Sequence, residues 1–188
     1  MGGLCEAAVK SCKSHLKRIL GSALLTYEEF STVLTQIEGI LNSRPLCPIP
    51  NSNSDNFPTL TPAHFLVGRS LIALPDYDFT DVPTNKLTLF RQFQQIYQNF
   101  WRRWSRDYIN LLQQRLKWRA AKGPALVPGT MVLVKDSRTP PCQWPLGKIE
   151  QAHLGADDIG RVATIRTSKG LIKRAFNNIC PLPLEDAE

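Results

Sequence analysis

From Phe90 to Trp118 the residues Phe90, Phe93, Tyr97, Trp101, Trp104, Tyr108, Leu111, Arg115 and Trp118 follow one another at intervals of three and four, and most of them are aromatic. That spacing puts them along one side of a helix and predicts a long α-helix over residues 86–119. A stripe of rings this large has to be covered, so the chain must supply or recruit a surface that packs on this helix. One reading of the stripe is core or helix pairing. The other is stacking on nucleic-acid bases, although single-strand binders commonly present such rings on sheets and loops.

The same segment concentrates the charge. The chain carries a formal +7, yet residues 86–123 alone hold Lys86, Arg91, Arg102, Arg103, Arg106, Arg115, Lys117, Arg119 and Lys122 against the single acid Asp107, a net of +8. Residues 1–85 sum to −2 and residues 124–188 to +1. A block of one sign usually faces a polyanion, and nucleic acid is the commonest one. Arg102, Arg103 and Arg106 lie off the aromatic stripe, where they are free to reach phosphates. The competing reading, plain solubility, sits poorly with one acid in the whole segment.

Beyond the helix the period shortens from threes and fours to twos. Segments Met131–Lys135, Leu146–Gln151, Arg161–Thr167, Leu171–Ala175 and Asn178–Cys180 are short, rich in β-branched residues and separated by Pro128-Gly129, Pro140-Pro141, Gly155 and Lys169-Gly170. They predict five strands in a small antiparallel barrel. The Ser168-Lys169-Gly170 turn makes a hairpin of the third and fourth strands, with Arg166, Lys173 and Arg174 on neighbouring rungs. Such a hairpin reads either as a DNA contact or as a solvated edge guarded by positive charge.

Ahead of the helix the pattern is helical and then irregular. Lys10, Lys13 and Lys17 follow Glu6 at four, seven and eleven residues, so one carboxylate and three ammonium groups share one helix face. On residues alone, that row is a solvated face of the common kind. Thr26 and Glu29 form a capping box for a second helix whose inward positions are Phe30, Val33, Leu34, Ile37, Ile40 and Leu41. It stops at Arg44-Pro45. Residues 45–62 read as a proline-rich extended loop. A short helix capped by Thr61, with Pro62 in its first position, then returns Ala63, Phe65 and Leu66 to the core.

With 188 residues there is room for one good domain or two small ones. No run of eighteen apolar residues and no secretory leader is visible, so the expectation is a soluble intracellular protein without a membrane partner. Cys5, Cys12, Cys47, Cys142 and Cys180 never form a CxxC pair, and His15, His64 and His153 stand far apart. This spacing argues against zinc ligation and for reduced, buried thiols.

The segments Gly2-Gly3-Leu4, Glu6-Ala7-Ala8-Val9-Lys10, Leu41-Asn42-Ser43-Arg44-Pro45-Leu46, Leu60-Thr61-Pro62-Ala63-His64-Phe65-Leu66-Val67-Gly68 and Trp144-Pro145-Leu146-Gly147 resemble the C-terminal half of the integrase of Bel/Pao-type LTR retrotransposons. Each motif is short, but their order and spacing together are specific, and the resemblance spans essentially the whole chain. It implies an α+β fold in three parts. Residues 1–85 would close a ribonuclease H-like catalytic core, 86–123 would be a basic linker helix, and 124–188 an SH3-like five-stranded barrel that contacts DNA or chromatin.

The resemblance makes Glu6 the last carboxylate of an Asp, Asp, Glu triad that holds Mg²⁺ or Mn²⁺ in the full-length relative. Two such ions, about 4 Å apart, activate the attacking oxygen and steady the leaving one. Lys10 and Lys13 match positions where retroviral integrases, more distant relatives, present lysines to a viral DNA end. Cys5 stands where this family would have Trp. The two aspartates, the strands that carry them and the N-terminal His/Cys zinc domain have no counterpart in these residues. Asp55, Asp76, Asp78 and Asp81 do not match the family order. The expectation is therefore a chain that, as it stands, needs no cofactor and catalyses no strand transfer.

What is expected instead is sequence-independent DNA binding, in the nucleus, through Lys10, Lys13, Lys17, Arg102, Arg103, Arg106, Arg115, Lys117, Arg119, Arg166, Lys173 and Arg174. The alternative is a protein-interaction module, with the aromatic stripe and the barrel groove docked on another integrase subunit or a chromatin protein. A small-molecule substrate is expected in neither case.

Overall fold

A computed structural model describes residues 3–21, 23–49, 57–74, 76–113, 127–136, 138–154 and 160–183. Its four α-helices are α1 (Gly3–Leu20), α2 (Tyr27–Asn42), α3 (Pro62–Val67) and α4 (Leu89–Leu112). Strands β1 (Cys47–Pro48) and β2 (Thr59–Leu60) pair with each other inside the proline-rich loop. The other five, β3 (Met131–Val134), β4 (Leu146–Leu154), β5 (Gly160–Thr167), β6 (Gly170–Ala175) and β7 (Ile179–Pro181), form one antiparallel sheet. The architecture is α+β. No helix is long and apolar enough to cross a membrane among the described residues.

Helix α2 starts where its capping box predicts. The Thr26 amide donates to Glu29 Oε2 at 2.8 Å and the Glu29 amide to Thr26 Oγ1 at 3.3 Å, which satisfies two of the amides a helix N-terminus leaves without partners. Val33, Ile37 and Ile40 from α2 meet Leu16 of α1 and Phe93, Phe100, Trp101 and Trp104 of α4 in one core. Phe30 and Leu34 are more than a third exposed, because α2 buries one narrow stripe against α4 and these two flank it.

Helix α3 is capped differently from a Thr/Glu box. The His64 ring stands in for the usual carboxylate, its Nδ1 accepting from the Thr61 amide at 3.0 Å. The return to the core predicted for this segment is limited to Ala63. Phe65, Leu66 and Val67 are 73 %, 66 % and 58 % exposed.

The rest of the cover for the aromatic stripe comes from the loop before β4. Trp144 meets Trp101, Trp104 and Tyr108 edge-to-face at 4.7, 6.0 and 5.4 Å, while Trp104 and Tyr108 stack on each other at 5.3 Å. Three of the four polar edges then find partners, as buried Trp and Tyr prefer. Trp101 Nε1 donates to the Thr139 carbonyl at 2.8 Å, Trp144 Nε1 to Ser43 Oγ at 3.2 Å, and Tyr108 OH to the Pro45 carbonyl at 2.7 Å. Trp101 and Trp104 are 3 % and 7 % exposed, which removes them as base-stacking platforms and as an exposed docking stripe. Phe90 and Leu111, at the two ends, stay in solvent.

The helix is shorter than its periodicity predicts. It ends at Leu112, where Gln113 turns to extended backbone and its side-chain amide donates to the Asn177 carbonyl at 2.7 Å. Arg115, Lys117, Trp118 and Arg119 lie outside the described residues.

The sheet runs in the order β6-β5-β4-β3-β7, with no pairing between its two edges among the described residues, so it is open and not a closed barrel. One face holds Val132, Val134, Ile149, Ala163, Ile165 and Ile179. On the other face Leu133, Cys180 and Leu182 pack on Ile109 at the end of α4. The sheet is thus tied to the helical part by the Trp144 loop and by this second contact.

Candidate nucleic-acid interface

The charged residues singled out in the sequence fall into groups with different surroundings. On α1 the packing side is set by His15 and Leu16, 7 % and 6 % exposed. Turning about 100° per residue from His15 puts Glu6, Lys10, Lys13 and Lys17 on the opposite side, and all four are exposed. The lysine row therefore faces solvent, away from α4.

Glu6 sits in that row as a single carboxylate. Among the described residues no three His, Cys, Asp or Glu side chains come together as a metal site. One carboxylate offers two oxygens where Mg²⁺ wants about six ligands, so the donors in these residues do not by themselves fit a divalent ion.

Arg102 is separated from its sequence neighbours. The buried amides of Gln95 and Gln98 clamp the loop before α4: Gln98 donates to the Tyr77 carbonyl at 2.7 Å and accepts from the Phe79 amide at 2.8 Å, and Gln95 donates to the Phe79 and Val82 carbonyls at 2.7 and 2.6 Å. This brings Asp78 within 3.0 Å and Asp81 within 3.9 Å of the Arg102 guanidinium. Hydrogen bonds from the Thr80 hydroxyl and amide hold the Asp78 carboxyl below its ordinary range, and Arg102 adds to that. Arg102 is thus matched by acids from another segment, which local charge counting along 86–123 could not register.

Arg103 and Arg106 are exposed and form no ion pair among the described residues. They lie on the side of α4 that flanks α1. There the His15 ring packs edge-to-face on Phe100 at 5.8 Å, with Nε2 3.5 Å from Asp107 Oδ2 and Nδ1 without a hydrogen bond. Burial pushes the His15 pKa down. Asp107 opposes this, while the positive charges of Arg18, Arg103 and Arg106 all lower it further. Arg18 was missed by the sequence reading because it falls outside the row that begins at Glu6. Its place three residues after His15, on the packing side of the row, is the signal that could have found it.

On the sheet, register divides the predicted trio. Arg166 pairs across from Lys148 and Leu171, and Lys173 from Thr164, so alternation puts Arg166 and Lys173 on one face. Arg166 reaches Glu150 Oε1 at 3.5 Å. Arg174 pairs with Ala163, on the face of Ile165 and Ile172, and its charge helps hold the Asp136 carboxyl down, after hydrogen bonds from Arg138. Lys173 is the exposed cation of the three without an ion pair among the described residues.

The resemblance motifs occupy joints between elements. Ser43 accepts from Trp144, and Pro45 accepts from Tyr108. In β4, a Cβ on Gly147 would come within 2.5 Å of Ile165 Cγ2 and 2.7 Å of the Arg166 carbonyl oxygen, so only glycine fits between β3 and β5. Cys12, Cys47, Cys142 and Cys180 are free thiols; burial raises the Cys180 pKa to about 11.

Among protein families, residues 88–182 match the one described as a family of unknown function, DUF5641. The match begins at the N-cap of α4, Thr88, and ends at Leu182, the last core residue after β7. No curated protein and no solved structure matches the chain.

Proposed function

The chain belongs to this family of unknown function, its α4 and sheet forming the matched half, and from that premise we propose that it is the C-terminal part of a Bel/Pao-type retrotransposon integrase that binds DNA without sequence preference. The observation that carries the reading is the state of the arginines on α4. Arg103 and Arg106 stand exposed, without acidic partners among the described residues, on a helix whose rings Phe93, Trp101 and Trp104 are used in packing. Unmatched cations on a rigid helix suit phosphate contact, which positions a duplex without reading its bases.

In this reading the open five-stranded sheet corresponds to the SH3-like domain of the relative, α1 to α3 end a ribonuclease H-like core, and Glu6 is the third member of a triad. Its Mg²⁺ or Mn²⁺ would need two further carboxylates that have no matching positions in these residues, so no catalytic step is assigned to them. The lysine face of α1, Arg103 and Arg106, and Lys173 on the sheet are the DNA contacts, and the nucleus is where they act.

Fluorescence anisotropy with two unrelated duplexes tests this. Equal affinities are expected, with log Kd changing by about 0.9 per decade of salt for each phosphate neutralised. A flat salt response, or no binding at about 50 mM salt, where such contacts are strong, removes the proposal.

A second reading, docking on another integrase subunit, draws on a different surface from the buried stripe. Phe65, Leu66, Val67, Ile72, Leu74 and Tyr77 stand close in the sequence and are all more than half exposed, and exposed apolar residues mark interaction sites where they form a contiguous patch. Sedimentation showing a monomer at all concentrations counts against it.

A further inference from the structure

We propose that Arg18, Arg103 and Arg106 form one phosphate-binding seam between α1 and α4, which holds consecutive phosphodiesters of a nucleic-acid backbone. The inference rests on the DNA-binding reading and assigns it a place. His15 on α1 meets Asp107 on α4 at 3.5 Å. Arg18 follows His15 by one helical turn, Arg103 precedes Asp107 by one turn and Arg106 is its chain neighbour, so three exposed guanidinium groups flank the place where the two helices meet. Three guanidinium charges against the one Asp107 carboxylate leave two unmatched.

Like charges on one surface repel one another, and an anion placed among them relieves that repulsion. The buried His15 ring is consistent with it: the ring is 7 % exposed and keeps an unpartnered Nδ1, and its pKa is pushed down by burial first and then, against Asp107, by these same arginines. Guanidinium forks match phosphate oxygens two at a time, which three lysines would not do.

All three arginines are exposed. The cavities beside Trp101, Phe90 and Trp144 are lined by other residues. A small phosphorylated ligand is held by enclosure, whereas a backbone that passes across two helices needs only a row of cations. Arg18 extends the row, because Lys17 lies one residue before it, about 100° further round α1, toward the lysine face.

Binding of a short duplex and of inorganic phosphate to the full chain, followed through the His15 ring resonances and by anisotropy, tests the proposal. DNA is expected to shift the His15 ring signals. Arg18→Gln, Arg103→Gln and Arg106→Gln are each expected to lower the salt slope by about 0.9, while Arg102→Gln, already matched by Asp78 and Asp81, leaves it unchanged. If DNA binds but His15 does not respond and the three variants bind as the parent chain does, the seam is overturned and the DNA-binding function stands. If inorganic phosphate shifts His15 while DNA does not bind, the nucleic-acid source and the proposed function both fall.

Discussion

Gly147 shows how little freedom a single position can have. Its neighbours in β5 leave no room for a methyl group, and two of the close atoms belong to Ile165 and to the Arg166 backbone, neither of which can swing away. Gly147→Ala is therefore expected to cost about 1–3 kcal/mol, the usual range for overpacking, measured as a fall in the urea midpoint at unchanged slope. A variant as stable as the parent chain would show that β4 and β5 can separate. His15 is limited by charge. Its folded pKa lies below the unfolded value of about 6.5, so the unfolded chain binds more protons as pH falls below 6.5, and stability drops there. It is fully present above that pH. His15→Gln removes the titration, so its melting temperature should fall less than that of the parent chain between pH 7 and pH 5. Parallel profiles would contradict this.

At the scale of elements, the sheet strands and the helix starts were legible because their signals are local. The Thr26 box and the Pro-Gly and Lys-Gly punctuation state where an element begins or turns, and β3 to β7 lie where the alternation places them. The Trp144 cover on the aromatic stripe was not legible, since Trp144 stands far along the chain from Trp101, beyond the end of α4 and β3, in a segment with no periodicity of its own. The same holds for the arginines: pattern alone grouped Arg102 with Arg103 and Arg106, and only the Gln95 and Gln98 clamp separates them. The joint between α2 and the sheet can be weighed directly. Ser43→Ala leaves the Trp144 indole N–H without its acceptor and costs about 1–3 kcal/mol. In a Trp144→Phe background that donor is already gone, so the same substitution should cost clearly less. Equal costs in both backgrounds would mean the 3.2 Å contact contributes nothing.

For the molecule as a whole, the family match and the packing draw different boundaries. Residues 88–182 hold α4 and the sheet, yet α4 also packs on α1 and α2, with Phe100 fully enclosed and Phe93 at 9 % exposure. Cutting the chain to 88–182 would return both rings to water at about 1.5–3 kcal/mol each, a large share of the 5–15 kcal/mol that holds a typical domain. The sheet keeps its own core of Val132, Ile149, Ile165 and Ile179, which does not touch α1 or α2. The fragment is therefore expected to keep its strands and the Ile109 contact while the first half of α4 loosens. Hydrogen exchange distinguishes the two: protection should persist in β3 to β7 and disappear from residues 89–100. The full chain should melt in one transition by near- and far-ultraviolet circular dichroism. Full protection of residues 89–100 in the fragment would show that α1 and α2 only decorate a unit already complete. The seam of Arg18, Arg103 and Arg106 would then have no structural reason to act as one surface.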